Sequence, residues 1–251
     1  MILYSAYTGK GIKKDSNDDR IFVDNNVIKK DSCSGKKERT LVSIVCDGVG
    51  SSIYGGQTAE MITESFRELE ADKLSPAVLV QHLNQINKNI VNEQTRRNNG
   101  FSMASTIAGL IICGNDYLAF NLGDTHIYRF ILGNLSLVSF DHTVKNENNF
   151  FFCSNSSNKN ALTRYMGGDG MTCYPFFKRG SIGENSIFLL CSDGVYKHIS
   201  DNDIRNVLTS DISLAEKTDK LVQLAIESGS TDDVSVVLIN CYNNELESLA
   251  G

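Results

Sequence analysis

Short runs of apolar residues, each long enough for a single β-strand, constrain this chain more than any other feature. They cover Ile21 to Val23, Leu41 to Cys46, Thr106 to Cys113, Tyr117 to Asn121, Ile127 to Leu132, Leu135 to Phe140, Ile187 to Cys191 and Val234 to Ile239. The runs are rich in Val, Ile and Phe, and Gly, Asn or Asp usually separates them, as expected of strands packed into a sheet. Within this set, Tyr117 to Phe140 reads as a three-stranded meander that turns at Gly123-Asp124 and again at Gly133-Asn134.

Helical spacing marks other segments. Ala59, Ile62, Phe66 and Leu69 form one apolar stripe; Leu79, Leu83, Ile86 and Ile90 form another, opened by Ser75 as N-cap and Pro76 in the first turn. Ser200 followed by Asp203 predicts a capped helix bearing Ile204, Val207 and Leu208, and a further helix covers Leu214 to Glu227 and ends at Gly229. Lys29 to Thr40 and Lys145 to Asn160 lack apolar periodicity and read as surface loops. Only two Pro occur, and no repeat or Gly/Ser-rich linker interrupts the chain, so residues 1–251 are expected to form one domain.

Charge narrows the partners. The 24 Lys and Arg against 30 Asp and Glu leave a net charge of −6, which disfavours nucleic acid and anionic membrane surfaces, since both select a basic face. The longest apolar stretches, such as Ile107 to Cys113, fall far short of the roughly 18 to 20 residues that span a bilayer, so no membrane span is expected. Met1 to Lys10 lacks the marks of a secretory signal, which points to the cytoplasm. The seven Cys are scattered singly with no Cys-x-x-Cys pair, and those in apolar runs read as small buried hydrophobes.

Several site types are excluded: there is no Gly-Lys-Ser/Thr phosphate loop, no His-Glu-x-x-His and no Gly-x-Ser-x-Gly elbow. Cys33 with Arg39 and Cys173 with Arg179 have the spacing of a cysteine-dependent phosphatase loop, but neither intervening segment is a small Gly-rich turn that aims amides at phosphate. The informative residues are Asp. Asp47-Gly48 follows one strand-like run and Asp193-Gly194 another; Gly123-Asp124 follows a third, while Asp18-Asp19 and Asp232-Asp233 precede two more. Each alone reads as an ordinary turn residue. Gathered at one edge of a sandwich, they would not all stay ionised without hard cations such as Mg²⁺ or Mn²⁺.

These stretches, with Val45-Cys46-Asp47-Gly48-Val49-Gly50, Ala104-Ser105-Thr106, Asn121-Leu122-Gly123-Asp124, Asp141-His142, Leu162-Thr163-Arg164, Cys191-Ser192-Asp193-Gly194 and Gly229 through Val236, resemble in order and spacing the metal-dependent protein Ser/Thr phosphatases of type 2C. The likeness runs from the first strand to about Asn240. It implies an α+β four-layer sandwich, two central antiparallel β-sheets with α-helices outside, and a single catalytic domain. It also implies a binuclear Mn²⁺ or Mg²⁺ centre at one end, at which a bridging hydroxide attacks phosphoSer or phosphoThr. Carried over, Asp47 would bridge both ions and the Gly48 carbonyl would bind one of them; Asp193 and Asp232 would bind the other. Asp18 and Asp19 would act as outer ligands or through water, and Asp124 would bind a weaker third ion found in some members. Phosphorylated proteins would be the substrates and a cognate Ser/Thr kinase the opposing partner.

The chain departs from the family pattern at four places. Lys14 stands where the family's phosphate-contacting Arg falls, keeping the charge without the bidentate fork. Val49 replaces a His or Met, leaving no side-chain general acid there, so the leaving-group proton is expected from metal-bound water. Asp233 replaces an Asn, and His126 stands where Arg is frequent, with a structural role expected. The alternative is a weak or inactive relative that binds phosphoproteins or regulates a partner; loss of Asp47, Asp193 or Asp232 would mark it, and all three are present.

Overall fold

Strands covered on both faces must be apolar on both faces, and that condition sorts the elements into layers. In the computed structural model, which describes residues 1–50, 52–97, 102–147, 158–168 and 173–242, the first strands are β1 (Ile2–Gly9), β2 (Arg20–Val23), β3 (Asn26–Ile28), β4 (Asp31–Lys37), β5 (Thr40–Cys46), β6 (Ala104–Ser105) and β7 (Ile107–Cys113). They are followed by β8 (Asp116–Leu122), β9 (His126–Ile131), β10 (Asn134–Leu137), β11 (Met166–Gly167), β12 (Phe176–Ser181), β13 (Ser186–Cys191) and β14 (Val234–Cys241). The helices are α1 (Gly55–Glu64), α2 (Pro76–Arg97), α3 (Val144–Glu147), α4 (Asp193–Tyr196), α5 (Asp201–Thr209) and α6 (Leu214–Glu227).

One six-stranded sheet has the order β10-β9-β13-β14-β1-β4 and a second β12-β8-β7-β5-β2-β3, while β6 and β11 form a separate two-stranded ladder, with antiparallel pairing throughout. Strand alternation builds three apolar layers. In β13, Phe188 and Leu190 join the cluster between the sheets, with Ala6, Val237, Ile21, Val45 and Leu110, whereas Leu189 and Cys191 face outward. The outer face of their sheet packs on α5 and α6 through Leu189, Leu238, Ile204, Leu208 and Leu221. The outer face of the other sheet packs on α1 and α2 through Ile44, Phe120, Ile62, Leu83 and Ile90. Each fully buried side chain of this size contributes roughly 1.5 to 3 kcal/mol, so layer order follows from which face of each strand is apolar. The expected four-layer α+β sandwich is the fold found.

The helix signals hold. The Ser75 hydroxyl accepts from the Val78 amide at 3.3 Å. Ser200 with Asp203 forms a reciprocal capping box, and Leu214–Glu227 is capped likewise by Ser213 with Glu216. Gly229 follows at φ +91°. The first stripe outruns its helix: α1 ends at Glu64, and Phe66 and Leu69 are carried inward by successive tight turns, Phe66 N–H to Thr63 O and Leu69 N–H to Phe66 O. None of the described helices is long and apolar enough to cross a membrane.

Three local expectations are corrected. The meander does not exist, because β8 and β9 belong to different sheets and Gly123-Asp124 is the corner between them. The β9–β10 hairpin turns at Leu132-Gly133, one residue earlier than expected; Asn134 pairs with Ile131, and both loop residues have positive φ. Lys29 to Thr40 is largely β4, an edge strand paired with β1. Of the other expected loop, Lys145 to Glu147 lie in α3 and residues 148–157 lie outside the described residues.

Candidate active site

Pairing register brings the Asp-bearing strand ends together. Cys46, the last residue of β5, pairs with Arg20, the first of β2, which sets Asp47 beside Asp18-Asp19. In the other sheet Cys191 pairs with both Val236 and His126, which sets Asp193 beside Asp232-Asp233 and the Asp124 corner. The two groups meet across the sandwich: the Asp18 amide donates to Asp233 Oδ2 at 2.8 Å, and Asp47 lies in the fields of Asp19, Asp193, Asp124 and Asp232.

Backbone contacts fix the Asp47 turn. Ala104-Ser105-Thr106 runs alongside it, with Thr106 N–H donating to Asp47 O at 2.8 Å and Thr106 Oγ1 accepting from the Asp47 amide at 3.1 Å. The Ser105 hydroxyl donates to the same Asp47 carbonyl, and Val49 N–H to Ala104 O. Gly48 and Gly55 are pressed together: a Cβ on Gly48 would lie 2.6 Å from the Gly55 carbonyl carbon and 3.0 Å from Asp18 Cβ. A Cβ on Gly194 would lie 2.0 Å from Asp233 O, so both Asp-Gly pairs need glycine for close backbone approach. At the third corner, the His142 amide donates to Gly123 O and Thr106 Oγ1 bonds Thr125 Oγ1 at 2.6 Å.

Asp233 turns out to be a clamp. Its Oδ1 accepts from the Gly11 amide and its Oδ2 from the Asp18 amide, both at 2.8 Å, so one buried carboxylate ties both ends of the loop that carries Lys14. Lys14 Nζ sits 2.8 Å from Asp232 Oδ1. Burial pulls the Lys14 pKa down, but the bond to Asp232 and the charges of Asp232, Asp233 and Asp47 raise it above its ordinary value. On the opposite side Lys197, one helical turn after Asp193, reaches Asp193 Oδ2 at 2.6 Å. His126 lies between Asp141 and Tyr128, 2.9 Å from each.

Burial first, then the surrounding carboxylates, hold Asp47 well above the usual carboxylate range. Asp19, 1% exposed, is pushed up to about 7, first by burial and further by the charges of Asp233 and Asp193, while the Ser235 and Ser192 hydroxyls pull it back. Its Oδ2 is buried without a hydrogen-bond partner. Among the described residues no three of Asp, Glu, His and Cys already close into a cage. An all-oxygen donor set with an orphaned buried carboxylate oxygen and mutual repulsion nonetheless fits hard divalent cations.

The pKa of Asp19 has a direct consequence for stability. A folded-state value near 7 against roughly 3.9 unfolded means that the folded protein holds this proton more tightly. The stabilisation is complete below about pH 4 and lost as pH rises towards 7. In chelator, Asp19→Asn should therefore melt above the unsubstituted protein at pH 7 and no higher at pH 4. A thermal-unfolding series that shows the same difference at both pH values would mean that Asp19 titrates normally.

The cysteine loops are absent. Cys33 lies in the extended edge strand β4, and Cys173 is buried beside Met166, its thiol pushed up to about 12 by burial, opposite to what a nucleophile needs. Sequence reading missed Tyr196 and Lys197. The only signal for Lys197 was its i+4 spacing from Asp193 on a helix that the sequence does not announce.

The model of the family described as protein phosphatase 2C matches residues 22–233. Among curated proteins, protein phosphatase PhpP of Streptococcus pneumoniae is 25% identical over 256 residues, covering 97% of this chain and 99% of that one. Serine/threonine phosphatase stp of Listeria welshimeri is 24% identical over 216 residues, covering 81% and 85%. Among solved structures, serine/threonine phosphatase Stp1 from Staphylococcus aureus superimposes with a TM-score of 0.80 at 20% identity, covering 97% of this chain and 96% of that one. With a family model spanning most of the sequence and the same fold around its converging Asp-Gly corners, the chain belongs to the protein phosphatase 2C family.

Proposed function

We propose that residues 1–251 act as one catalytic domain that hydrolyses phosphoSer and phosphoThr in proteins, with Mn²⁺ or Mg²⁺ held at the carboxylate end of the sandwich. The carrying observation is the convergence of Asp19, Asp47, Asp124, Asp193 and Asp232 from five separate strand ends, with the Asp19 Oδ2 left unpartnered. Asp47, with the Gly48 carbonyl, and Asp193 and Asp232 would hold two cations, and Asp18 and Asp19 would act behind them through water. When bound, such cations make water acidic enough to supply hydroxide near neutral pH and offset charge on the phosphoryl oxygens.

The chain's own groups supply the rest. Lys14 presents an ammonium at the mouth of the site, on a loop pinned at Gly11 and Asp18 by Asp233, and there it meets the substrate phosphate. Val49 carries no proton to donate, so the leaving hydroxyl takes its proton from water. Phosphate release from a phosphoThr peptide and from p-nitrophenyl phosphate, with and without Mn²⁺, tests the proposal; no metal-stimulated release from either substrate would leave only a binding role.

Lys14 should act mainly in binding, because a lone ammonium meets the phosphate alike in the ground state and the transition state. Lys14→Ala is expected to raise KM about tenfold with a smaller change in kcat. Lys14→Arg should preserve or improve affinity, since a guanidinium grips two oxygens. Steady-state kinetics at fixed Mn²⁺ check both; an unchanged KM in the Ala variant would reduce Lys14 to a surface charge paired with Asp232.

A further inference from the structure

We propose that Lys197 is a built-in cation at the outer edge of the carboxylate cluster, so that the chain takes up two divalent ions and admits a third between Asp124 and Asp193 only when this ammonium is removed. The inference rests on the two-cation reading above, shares Asp193 with it, and adds Tyr196 and Lys197, which that reading does not use. Asp193 opens α4, and Lys197 follows one turn later, so the helix itself delivers Nζ to within 2.6 Å of Asp193 Oδ2. Asp124 is occupied from the same helix: the neighbouring Tyr196 donates its hydroxyl to Asp124 Oδ2 at 3.2 Å.

Neither partner arrives by chance of rotation. The Tyr196 ring stacks on the His126 imidazole, with centroids 3.6 Å apart and planes 16° from parallel. His126 is in turn held at Nε2 by Asp141 Oδ1 and at Nδ1 by the Tyr128 hydroxyl, each at 2.9 Å. This stack aims the phenol at Asp124 and turns the next residue, Lys197, towards Asp193. Two consecutive side chains thus cover the two carboxylates that a further cation at this edge would need. Such a cation would have to displace a hydrogen bond and an ion pair while approaching a like charge.

Bound Mn²⁺ per chain is the readout, counted by isothermal titration calorimetry and by electron paramagnetic resonance of the Mn²⁺-loaded protein. Unsubstituted protein should bind two ions. Lys197→Met, which keeps the carbon stem and removes the charge, should bind a third about tenfold or more weaker than the pair. Lys197→Gln should repeat that gain, Lys197→Arg should return to two, and adding Asp124→Asn to Lys197→Met should abolish the third ion. Melting curves establish that each variant is folded before titration. Three ions in the unsubstituted protein, or two in it and two in both neutral variants, would overturn the inference alone; fewer than two in the unsubstituted protein would overturn the two-cation reading with it.

Discussion

Asp47→Asn is expected to leave a folded protein whose kcat has fallen about a hundredfold or more, because the substitution removes the charge at the centre of the cluster that would hold the cations and set the acidity of their water. Asp47 is placed for this. Its amide and carbonyl are both bonded to Thr106, with Ser105 on the same carbonyl, so the neutral isostere inherits the backbone position unchanged. A second measurement separates lost chemistry from lost structure. Burial and four neighbouring carboxylates hold the Asp47 carboxyl well above its usual range, so in chelator the charge costs stability at neutral pH. The Asn variant should therefore melt higher than the unsubstituted protein in chelator while turning over far more slowly in Mn²⁺. A folded variant with near-normal kcat would remove Asp47 from the reaction.

Removing divalent cations should have the other large effect: complete loss of phosphate release in chelator, and recovery on adding Mn²⁺ or Mg²⁺. The described side chains near the cleft offer carboxylates, the ammonium groups of Lys14 and Lys197 paired with Asp232 and Asp193, the Tyr196 phenol, which burial keeps from ionising, the Ser105 and Thr106 hydroxyls bonded to the Asp47 backbone and the aliphatic Val49, and the two Cys-x5-Arg segments are a strand and a buried thiol. A nucleophile independent of metal would have to come from those groups, and carboxylates repelling one another are poorly suited to attack a phosphate dianion. The same experiment has a structural arm. Cations that neutralise the cluster bind the folded chain better than the unfolded one, so Mn²⁺ at 100 times its dissociation constant should stabilise by about 2.7 kcal/mol per site. Turnover undiminished after verified metal removal would rule out the cation reading; turnover that recovers without any rise in melting temperature would place the ions away from the folded carboxylate cluster.

Two of the strands that the sequence missed, β1 and β4, have apolar runs interrupted by polar residues. β1 carries Ser5 and Thr8, both buried, with Thr8 Oγ1 bonded to Ser235 Oγ at 2.8 Å. Those hydroxyls break the apolar run, although the strand is buried inside the sheet. β4, Asp31–Lys37, is exposed along most of its length because it is an edge, and polar residues there discourage further strand pairing. Periodicity sees burial rather than pairing, so an edge strand looks like a loop. Gly123-Asp124 failed differently: the local chemistry of a tight turn is the same whether the next strand returns beside its neighbour or crosses to the other sheet.

What the sequence determined by itself was the strand-and-helix alternation, the helix caps at Ser75 and Ser200, the end of the last helix at Gly229, and the set of Asp residues that end or begin strands. These are local properties, set by side-chain period and by the backbone needs of Asp and Gly. Motif order along the chain carried the family resemblance, and with it the layered fold. Only the tertiary structure decided which of those Asp residues share a field, because that depends on strand register and on how two sheets face each other. It alone made Asp233 a backbone clamp across 215 residues of chain, and it alone set Tyr196 against Asp124. A carboxylate's partner is chosen by distance in space, and no spacing along the chain encodes that distance once the contact crosses between sheets.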